Sequence, residues 1–349
     1  MVTQITVESA LRKAAQQDVV FIDTRSPQEF AEDHLPRAIN LPILSNEERA
    51  VVGTLYKQVS QEKALEQGIS FFAQKLPAFM QEISKHKGKE LIIYCWRGGM
   101  RSRSVVALLD ALGYPVFQLQ GGYKQYRKYV LERLQTYSLK PKIIVLWGLT
   151  CTGKTRLLSR FSNSLDLEGI AQHRGSLFGA IGLQPHSQKK FENLLLQRLD
   201  ELNNEEFIFI EGESKRIGNI ILPAFLYKAM QKGIPVLVTR SIDLRANEAV
   251  QEYFTSLRDI EIMKEITAKL FKVISKKKIQ EVIQFLDQGE YQQAARILLE
   301  EYYDPLYSHT LKEIRFAFEI QNDYSEKALA DLKLNITDLS AKLLYPSVM

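Results

Sequence analysis

One short stretch of the sequence, GLTCTGKT at residues 148–155, constrains the fold more than any other. It fits the pattern G-x-x-x-x-G-K-[ST] and lies between an apolar segment, KIIVLWG, and a helical one, GKTRLLSRFSNSL, which is the setting of phosphate-binding loops. In such a loop backbone amides surround the phosphates, a lysine neutralises them and a hydroxyl binds Mg²⁺. The pattern predicts a phosphate site, with Thr155 as magnesium ligand, formed by Gly148, Thr150, Thr152, Gly153, Lys154 and Thr155.

Acidic residues follow another apolar segment, FIFIEGES, which supplies Glu211 and Glu213. At a strand end near the phosphate loop they are candidates to bind a metal or to adjoin a diphosphate, together with Arg174 from the basic segment HRGSLFG. Glutamates stand here where aspartate is usual, which argues against ordinary nucleotide hydrolysis. Binding of ATP or GTP stays an open alternative. The alternatives are that the glutamates only end a strand and that Arg174 lies in an ordinary surface loop, with no ligand at either place.

A second loop, IIYCWRGGMRS at residues 92–102, holds one of the two cysteines of the chain. Cys95 ends an apolar segment, and glycines with Arg97 and Arg101 follow before a helical pattern begins. Loop amides, the positive helix end and the arginines favour an anion on or next to sulfur, so we predict Cys95, Arg97 and Arg101 as catalytic. The spacing of cysteine, five residues and arginine equally suits a cysteine phosphatase. A buried, inert cysteine is the plain alternative.

Apolar and helical segments alternate over much of the chain, which predicts an α/β protein with parallel sheets. With 349 residues, the chain is long enough for two or three domains. We place one domain at residues 1–137, the α/β core of a second at residues 138–241, and a mainly helical region that packs on this core at residues 242–349.

Composition indicates the cellular compartment of the chain and the kinds of partner it can bind. The sequence shows no apolar segment of membrane-spanning length and no secretory signal, and its two cysteines are too few for a disulfide framework. We therefore expect a reducing cytoplasm and no membrane partner. The formal net charge of +5 permits nucleic acid as a partner without requiring it.

Three segments of the first domain resemble the signatures of rhodanese domains: FIDTRSPQEFAEDHLPRAINLPI, YCWRGGMRS and FQLQGGYKQYR. The resemblance implies a rhodanese-like parallel-sheet domain, followed here by an α/β domain similar to P-loop NTPases with a helical C-terminal region. In rhodanese domains the loop cysteine carries sulfur or selenium, a role that falls on Cys95. Asp23 and Arg25 match a strand-end motif of these domains, and we interpret both as structural.

The pairing of these domains, together with VGTLYKQVS, HRGSLFG and EGESKRIG, resembles the bacterial tRNA 2-selenouridine synthases. The resemblance implies a transferase that acts on tRNA carrying 2-thiouridine at the wobble position and replaces sulfur by selenium from selenophosphate. It also implies geranyl transfer from geranyl diphosphate, with S-geranyl-2-thiouridine as the intermediate. Cys95 would handle selenium as a selenosulfide, Lys154 would help to hold the diphosphate, and a selenophosphate-supplying enzyme is a further expected partner.

A tRNA partner requires a cationic surface, and two helical segments offer one. One is GGYKQYRKYVLERLQ, in which basic residues lie beside a stripe of tyrosines, and the other is KEITAKLFKVISKKKIQ. Solvated helix faces, with the tyrosines packed inside the domain, are the alternative. The predicted tRNA-binding residues are Lys124, Arg127, Lys128, Lys276, Lys277 and Lys278.

Two other functions stay open at this level. One is a rhodanese-fold cysteine phosphatase fused to a small-molecule kinase, and the other is a non-catalytic protein that binds tRNA or a nucleotide as a switch. The sequence also leaves open whether the phosphate loop takes geranyl diphosphate or a nucleotide, which tRNAs are used, the oligomeric state and the role of Cys151.

Overall fold

The computed structural model describes residues 2–16 and 18–344, with side chains as far as residue 337. It divides into two compact units, Met1–Thr136 and Tyr137–Met349. Among the described residues, no helix combines the length and the apolar character that crossing a membrane requires.

The first unit is built on a five-stranded sheet in which neighbouring strands are parallel. Its elements in chain order are β1 (Gln4–Ile5), α1 (Val7–Gln16), β2 (Val19–Asp23), α2 (Pro27–Glu32), β3 (Ile39–Asn40), α3 (Asn46–Gln58), α4 (Gln61–Ser84), β4 (Glu90–Tyr94), α5 (Met100–Ala111), β5 (Val116–Leu119) and α6 (Gly122–Gln135). The strand order is β1-β5-β4-β2-β3, so β4 is the central strand. Its sequence ELIIY is buried from Leu91 onward, as expected where both faces of a parallel sheet are covered.

A buried ion pair lies at the end of β2. Arg25 donates from Nε and Nη2 to the carboxylate of Asp23 and from Nη2 to the carbonyl oxygen of Asp33 at 2.6 Å. Its guanidinium also lies 3.9 Å from the ring centre of Tyr123 on α6. Because both charged groups are almost completely buried and paired, they join β2, α6 and the segment after α2. This geometry agrees with the structural interpretation of the pair.

The second unit contains a further parallel sheet of five strands, ordered β12-β11-β6-β8-β7, and a short antiparallel hairpin, β9–β10. Its elements are β6 (Lys142–Trp147), α7 (Lys154–Leu158), β7 (Ser164–Leu165), α8 (Leu167–Ala171), α9 (Gln188–Leu202), β8 (Phe207–Glu211), β9 (Arg216–Ile217), β10 (Ile220–Ile221), α10 (Ala224–Lys232), β11 (Ile234–Thr239), α11 (Ile242–Tyr253), α12 (Leu257–Ala268), α13 (Lys276–Gln288), α14 (Tyr291–Leu298), a π-helical turn (Leu299–Tyr303), α15 (Asp304–Glu313), β12 (Phe318–Gln321) and α16 (Ser325–Leu344). The predicted α/β class with parallel sheets is confirmed.

The end of the sheet differs from the sequence expectation. The segment predicted to be mainly helical, residues 242–349, contains β12, which pairs in parallel with β11 and buries Ile320. The boundary predicted at residue 241 therefore runs through the sheet, since one of its edge strands comes from beyond that residue. Short strands at a sheet edge carry little apolar signal, and FEIQ has only one buried residue. Helices α11 to α15 lie between β11 and β12 in the chain and share an apolar core with Cys151, Phe178 and Ile181.

The start of α6 packs against the cysteine loop of the first unit. The amides of Tyr123 and Lys124 donate to the carbonyl oxygens of Cys95 and Trp96, at 2.8 and 2.9 Å. Gly122 has a φ of +59°, and a Cβ at this position would lie 2.3 Å from the oxygen of Cys95. Glycine is therefore required at the first residue of α6 by the close approach of two backbone segments.

Gly122→Ala is expected to loosen the cysteine loop, because the added methyl group meets backbone on a residue with positive φ. We expect peptides that span β4 and α5 to exchange amide hydrogens roughly tenfold faster, as measured by mass spectrometry. Gly99→Ala is the control, because a Cβ at Gly99 meets nothing within 4 Å. Equal exchange in the two variants would contradict the proposed packing.

Candidate active sites

The cysteine loop joins the central strand β4 to α5. Cys95 directly follows β4, and only 3% of the residue is exposed. Gly98 has a φ of +64°, and a Cβ there would lie 3.0 Å from the carbonyl oxygen of Leu119 at the end of β5. Glycine is required at this position because the loop turns back against β5. The sulfur consequently lies beneath a tight turn at the start of a helix, where the helix dipole favours an anion.

A hydroxyl contacts the sulfur from the first turn of α5. Cys95 Sγ lies 3.2 Å from Ser102 Oγ. Gln118 on β5 donates from Nε2 to Ser102 Oγ and to the carbonyl oxygen of Gly98, at 2.9 Å each. Since Ser102 Oγ accepts from Gln118, its own hydrogen is available to donate, and the sulfur is nearer than the alternative acceptor, Gly99 O at 3.4 Å. The hydroxyl is therefore placed to stabilise a thiolate.

The two predicted arginines differ in their surroundings. Arg101 donates from Nη1 to the carboxylate of Glu29 at 2.8 Å, and Glu29 also accepts from the amide of Ser26 in the capping box of α2. Burial favours a higher pKa for Glu29, but the hydrogen bond and charge of Arg101 outweigh it and the pKa is lowered. An ionised carboxylate thus holds Arg101, whereas Arg97 is exposed to solvent.

Three residues of this site were missed in the sequence. Ser102 directly follows the arginine of the loop, so its position after the Cys-to-Arg spacing was an available signal. Gln118 is a polar residue in the otherwise apolar strand VFQL, and a buried amide of this kind indicates a hydrogen-bond network. Glu29 gave no signal beyond helix capping, because its contact with Arg101 joins segments far apart in the chain.

The phosphate loop of the second unit joins β6, again the central strand, to α7. Lys154 Nζ donates to the carbonyl oxygen of Gly148 at 3.1 Å. A Cβ at Gly148 would lie 2.3 Å from the oxygen of Val238 on β11. Gly153 has a φ of +78°, and its Cβ would meet Asn322, just after β12, at 2.6 Å. Both glycines of the motif are thus required by close packing against neighbouring strand ends.

The threonines of the loop have separate roles. Thr152 Oγ1 donates to the carbonyl oxygen of Leu149 at 3.0 Å, and the carbonyl oxygen of Thr150 accepts from Nε of the buried Arg245. These contacts brace the loop, and the hydroxyl of Thr152 is already engaged within it. Thr155, by contrast, shares a side-chain hydrogen bond with the predicted acidic residue Glu211.

Three carboxylates meet next to Lys154. One oxygen from each of Glu168, Glu211 and Glu213 lies within 4.8 Å of the others. Glu211 is completely buried, and its Oε1 has no hydrogen-bond partner. Burial raises the pKa of Glu211 to about 7 against the charge of Lys154, and burial together with neighbouring carboxylates raises the pKa of Glu168. Without a cation the cluster therefore favours protonated carboxyl groups, because one lysine does not offset the burial and mutual repulsion of three carboxylates.

This donor set fits Mg²⁺. Carboxylate and hydroxyl oxygens are the ligands of a hard cation, and the unpartnered Oε1 of Glu211 is an acceptor that a cation would satisfy. The residues that would hold it are Thr155, Glu168, Glu211 and Glu213. Glu168, in the first turn of α8, was missed in the sequence because it lies far from FIFIEGES. Its only signal was an acidic residue shortly after strand β7.

Arg174, predicted beside Glu211 and Glu213, instead contacts its own segment and α11. Its Nη1 donates to the carbonyl oxygen of Ile181 at 2.9 Å, and its guanidinium lies 4.9 Å from the ring centre of Tyr253. Its carboxylate neighbour is Glu252, at 4.0 Å. Arg174 therefore ties the HRGSLFG segment to α11, and within the described part of the chain it forms no hydrogen bond or ion pair with the three clustered carboxylates.

The predicted tRNA-binding residues lie on two helices in different units. On α6, Lys124 and Lys128 are exposed and Arg127 is half-buried, whereas Tyr123 and Tyr126 are buried in the core. Two tyrosines of the stripe therefore pack inside the domain rather than offering rings to bases, and Tyr129 is half-buried. The other lysines occupy the first turn of α13, where Lys278 pairs with Glu281 at 3.1 Å. Cations at a helix N-terminus oppose the helix dipole, so their placement gains nothing for helix stability.

Ser102→Ala is expected to slow alkylation of Cys95 by iodoacetamide about three- to tenfold, the effect of losing one hydrogen bond to the thiolate. The rate is measured at one fixed pH near neutrality by mass spectrometry of the Cys95 peptide. Ser104→Ala, an exposed position on the same helix, is the control. An unchanged or faster rate in Ser102→Ala would show that the hydroxyl does not support the thiolate.

Glu211→Gln is expected to stabilise the metal-free protein at alkaline pH. Because the pKa of Glu211 is raised to about 7, the folded protein keeps a proton that the unfolded chain loses near pH 4.5, so stability falls as pH rises through this range. In chelator, the variant should gain on the order of 2 kcal/mol over the wild type at about pH 8 and little at about pH 5 in thermal unfolding. Glu205→Gln, which is exposed, is the control. A gain that does not change with pH would contradict the buried charge.

Comparisons with known proteins identify both domains of the chain. The model of the rhodanese-like domain matches residues 6–129, and the model described as the tRNA 2-selenouridine synthase AAA domain matches residues 141–332. A tRNA 2-selenouridine synthase of Nitrosomonas europaea is 32% identical over 85% of this chain and 90% of its own, and one of Hydrogenovibrio crunogenus is 30% identical over 88% and 93%. A solved N-terminal domain of a putative ATP/GTP binding protein from Clostridium difficile 630 is 40% identical over 37% of this chain and 99% of its own, with a TM-score of 0.35. The chain belongs to the tRNA 2-selenouridine synthase family.

Proposed function

We propose that this chain converts 2-thiouridine at the wobble position of tRNA into 2-selenouridine in two steps, one at each loop. The observation that carries the proposal is the presence, in one chain of this family, of a cysteine loop with Arg101 and of a phosphate loop beside a carboxylate cluster. Family membership argues against the phosphatase–kinase alternative. It also argues against a switch that only binds tRNA.

The first step is transfer of a geranyl group to sulfur in the second unit. The phosphate loop holds the diphosphate of geranyl diphosphate, with Lys154 close to its negative charge. The thiocarbonyl sulfur attacks C1 of the geranyl group, the C–O bond breaks, and diphosphate leaves with the electron pair. The nucleoside loses its N3 proton in this step, which gives neutral S-geranyl-2-thiouridine.

The carboxylate cluster supports this assignment. Glu168, Glu211 and Glu213 would repel a diphosphate if they stood alone beside Lys154. Thr155 and the three carboxylates would hold Mg²⁺, which when bound offsets the charge of the departing diphosphate. The chain's own contribution is to fix the ester by backbone amides and to keep Lys154 next to the loop.

The second step brings selenium to the nucleoside in the cysteine loop of the first unit. The loop amides and Arg101 bind the phosphate group of selenophosphate, and the Cys95 thiolate attacks its phosphorus. The P–Se bond breaks and hydrogen selenide leaves with the electron pair. Hydrogen selenide then attacks C2 of the S-geranyl nucleoside, where the C–S bond breaks and geranyl thiol departs. Water hydrolyses phosphocysteine to phosphate and regenerates Cys95.

This route is preferred to a selenosulfide on Cys95 for a reason of electron balance. In the phosphocysteine route no atom changes its oxidation state, so no reductant is needed. A selenosulfide requires a reducing thiol to release its selenium, and the other cysteine of the chain, Cys151, is buried in the second unit with a pKa raised by burial. The spacing of Cys95 and Arg101, which suits phosphate as well as selenium, fits attack at phosphorus.

The tRNA is bound by the exposed basic residues of each unit. Lys124 and Lys128 on α6 and the lysines at the start of α13 supply the positive charge, so affinity should fall steeply with salt. Delivery of selenophosphate by the enzyme that makes it is part of the same proposal, since selenide and its derivatives are readily oxidised.

Variants of the two loops are expected to block different steps. Lys154→Ala should abolish S-geranyl-2-thiouridine formation, whereas Cys95→Ser should still geranylate tRNA but form no 2-selenouridine. Mass spectrometry of tRNA nucleosides after incubation with geranyl diphosphate, with selenophosphate, and with both gives the readout. Lys142→Ala, an exposed lysine at the opposite end of β6, is the control. Full geranylation by Lys154→Ala, or normal 2-selenouridine formation by Cys95→Ser, would refute the corresponding assignment.

A further inference from the structure

A cleft of about 360 Å³ opens beside the phosphate loop, on the side of β11. Its lining combines loop residues, the carboxyl end of β11, helix α15 and the link that follows this helix: Leu149, Thr152, Leu237, Val238, Thr239, Arg240, Ser308, Leu311, Lys312 and Phe316. Leu149 connects the cleft to the phosphate site, because its carbonyl oxygen accepts from Lys154 Nζ at 3.1 Å. A ligand anchored in the loop can therefore continue into the cleft.

Most of the cleft surface is hydrocarbon. The three hydroxyl groups of its lining are already engaged. Thr152 Oγ1 donates to the carbonyl oxygen of Leu149 at 3.0 Å, Thr239 Oγ1 donates to the carboxylate of Glu319 at 2.9 Å, and Ser308 Oγ donates to the carbonyl oxygen of Asp304. The remaining walls are mainly leucine, valine and phenylalanine side chains. A volume of this size with apolar walls and few polar groups is typical of a small-molecule site.

The polar groups left over in the lining are cationic donors. Arg240 Nε is buried and has no hydrogen-bond partner, although Nη1 of the same side chain donates to Glu248 at 3.0 Å. Lys312 is exposed at the end of α15. A nucleobase presents acceptors and donors on one edge and needs both kinds of partner, whereas these side chains offer donors only. Hydrogen-bond donors next to the phosphate loop suit an anionic group of the ligand. The apolar walls of the cleft suit a hydrocarbon group at its other end.

We propose that this cleft is the subsite for the hydrocarbon chain of a prenyl diphosphate, with the diphosphate in the phosphate loop and Arg240 at the junction. The inference rests on the proposed use of the phosphate loop for geranyl diphosphate and adds the place of the chain and the groups that select it. A second apolar cavity, around Cys151 and Tyr253, has a volume of only about 20 Å³ and is too small for such a chain.

The test is a bulky substitution in the cleft of the full-length protein. Leu311→Trp places an indole in the cleft, and Leu306→Trp, on the exposed side of the same helix, is the matched control. Affinities for geranyl diphosphate, the five-carbon dimethylallyl diphosphate, inorganic diphosphate and ATP are measured by calorimetry with Mg²⁺. We expect Leu311→Trp to bind geranyl diphosphate at least about tenfold more weakly, with inorganic diphosphate unchanged and the preference for the longer chain lost. Leu306→Trp should behave as the wild type.

Each alternative outcome has a separate meaning. If Leu311→Trp keeps the wild-type preference for geranyl over dimethylallyl diphosphate, the chain lies elsewhere and the subsite is refuted. If Leu311→Trp loses ATP while geranyl diphosphate is unaffected, the cleft is a nucleoside site and the proposal is also refuted. If wild-type protein binds geranyl diphosphate no better than Lys154→Ala does, the proposed function of the phosphate loop itself fails. Phe316→Ala, which enlarges the cleft, repeats the test should the tryptophan variant not fold, and it should reduce the same chain-length preference.

Discussion

Each unit depends on one constraint: a loop that leaves the central strand of a parallel sheet must turn with its backbone packed directly on neighbouring backbone. β4 is central in one sheet and β6 in the other, and the carboxyl ends of parallel strands are where such sheets bind ligands. The close approaches at Gly122 and Gly148, each 2.3 Å from a carbonyl oxygen for an added Cβ, leave no room for side chains. Backbone amides are therefore the groups that each loop could offer to an anion.

The two sites differ in the balance between their positively and negatively charged side chains. In the first unit, Glu29 pairs with Arg101, so an anion in the cysteine loop would meet amides, a hydroxyl and an already paired arginine. In the second unit, three carboxylates lie near one lysine. Lys154 alone does not balance them when they are ionised, so the ionised cluster would need a cation. In the proposed reactions the two sites would therefore act on phosphate groups by different means. A cysteine nucleophile works without metal, whereas departure of a diphosphate from an ester benefits from one.

The two loops and their flanking strands could be predicted because their characteristic residues lie in short contiguous motifs. Gly148 to Thr155 and Cys95 to Arg101 each carry their glycines, charges and nucleophile within a few residues, so both loops and their flanking strands were found from the sequence. Glu168, Gln118 and Asn322 were not, because each reaches its loop from a distant element and no local pattern marks that contact. β12 was missed for a similar reason: a short edge strand gains its stability from β11, not from its own residues. The buried positions of Tyr123 and Tyr126 likewise depend on the tertiary core, so helical spacing alone left their role open.

The central claim is that alkylated sulfur is the leaving group that selenium displaces. The most direct measurement is a chase. The protein first geranylates tRNA with isotopically labelled geranyl diphosphate, and the unused substrate is removed. Selenophosphate and fresh protein are then added, and the tRNA nucleosides and the released thiol are followed by mass spectrometry. We predict that labelled S-geranyl-2-thiouridine disappears as 2-selenouridine and labelled geranyl thiol appear in equal amounts. Persistence of the geranylated nucleoside, with 2-selenouridine formed only from unalkylated 2-thiouridine, would contradict the account.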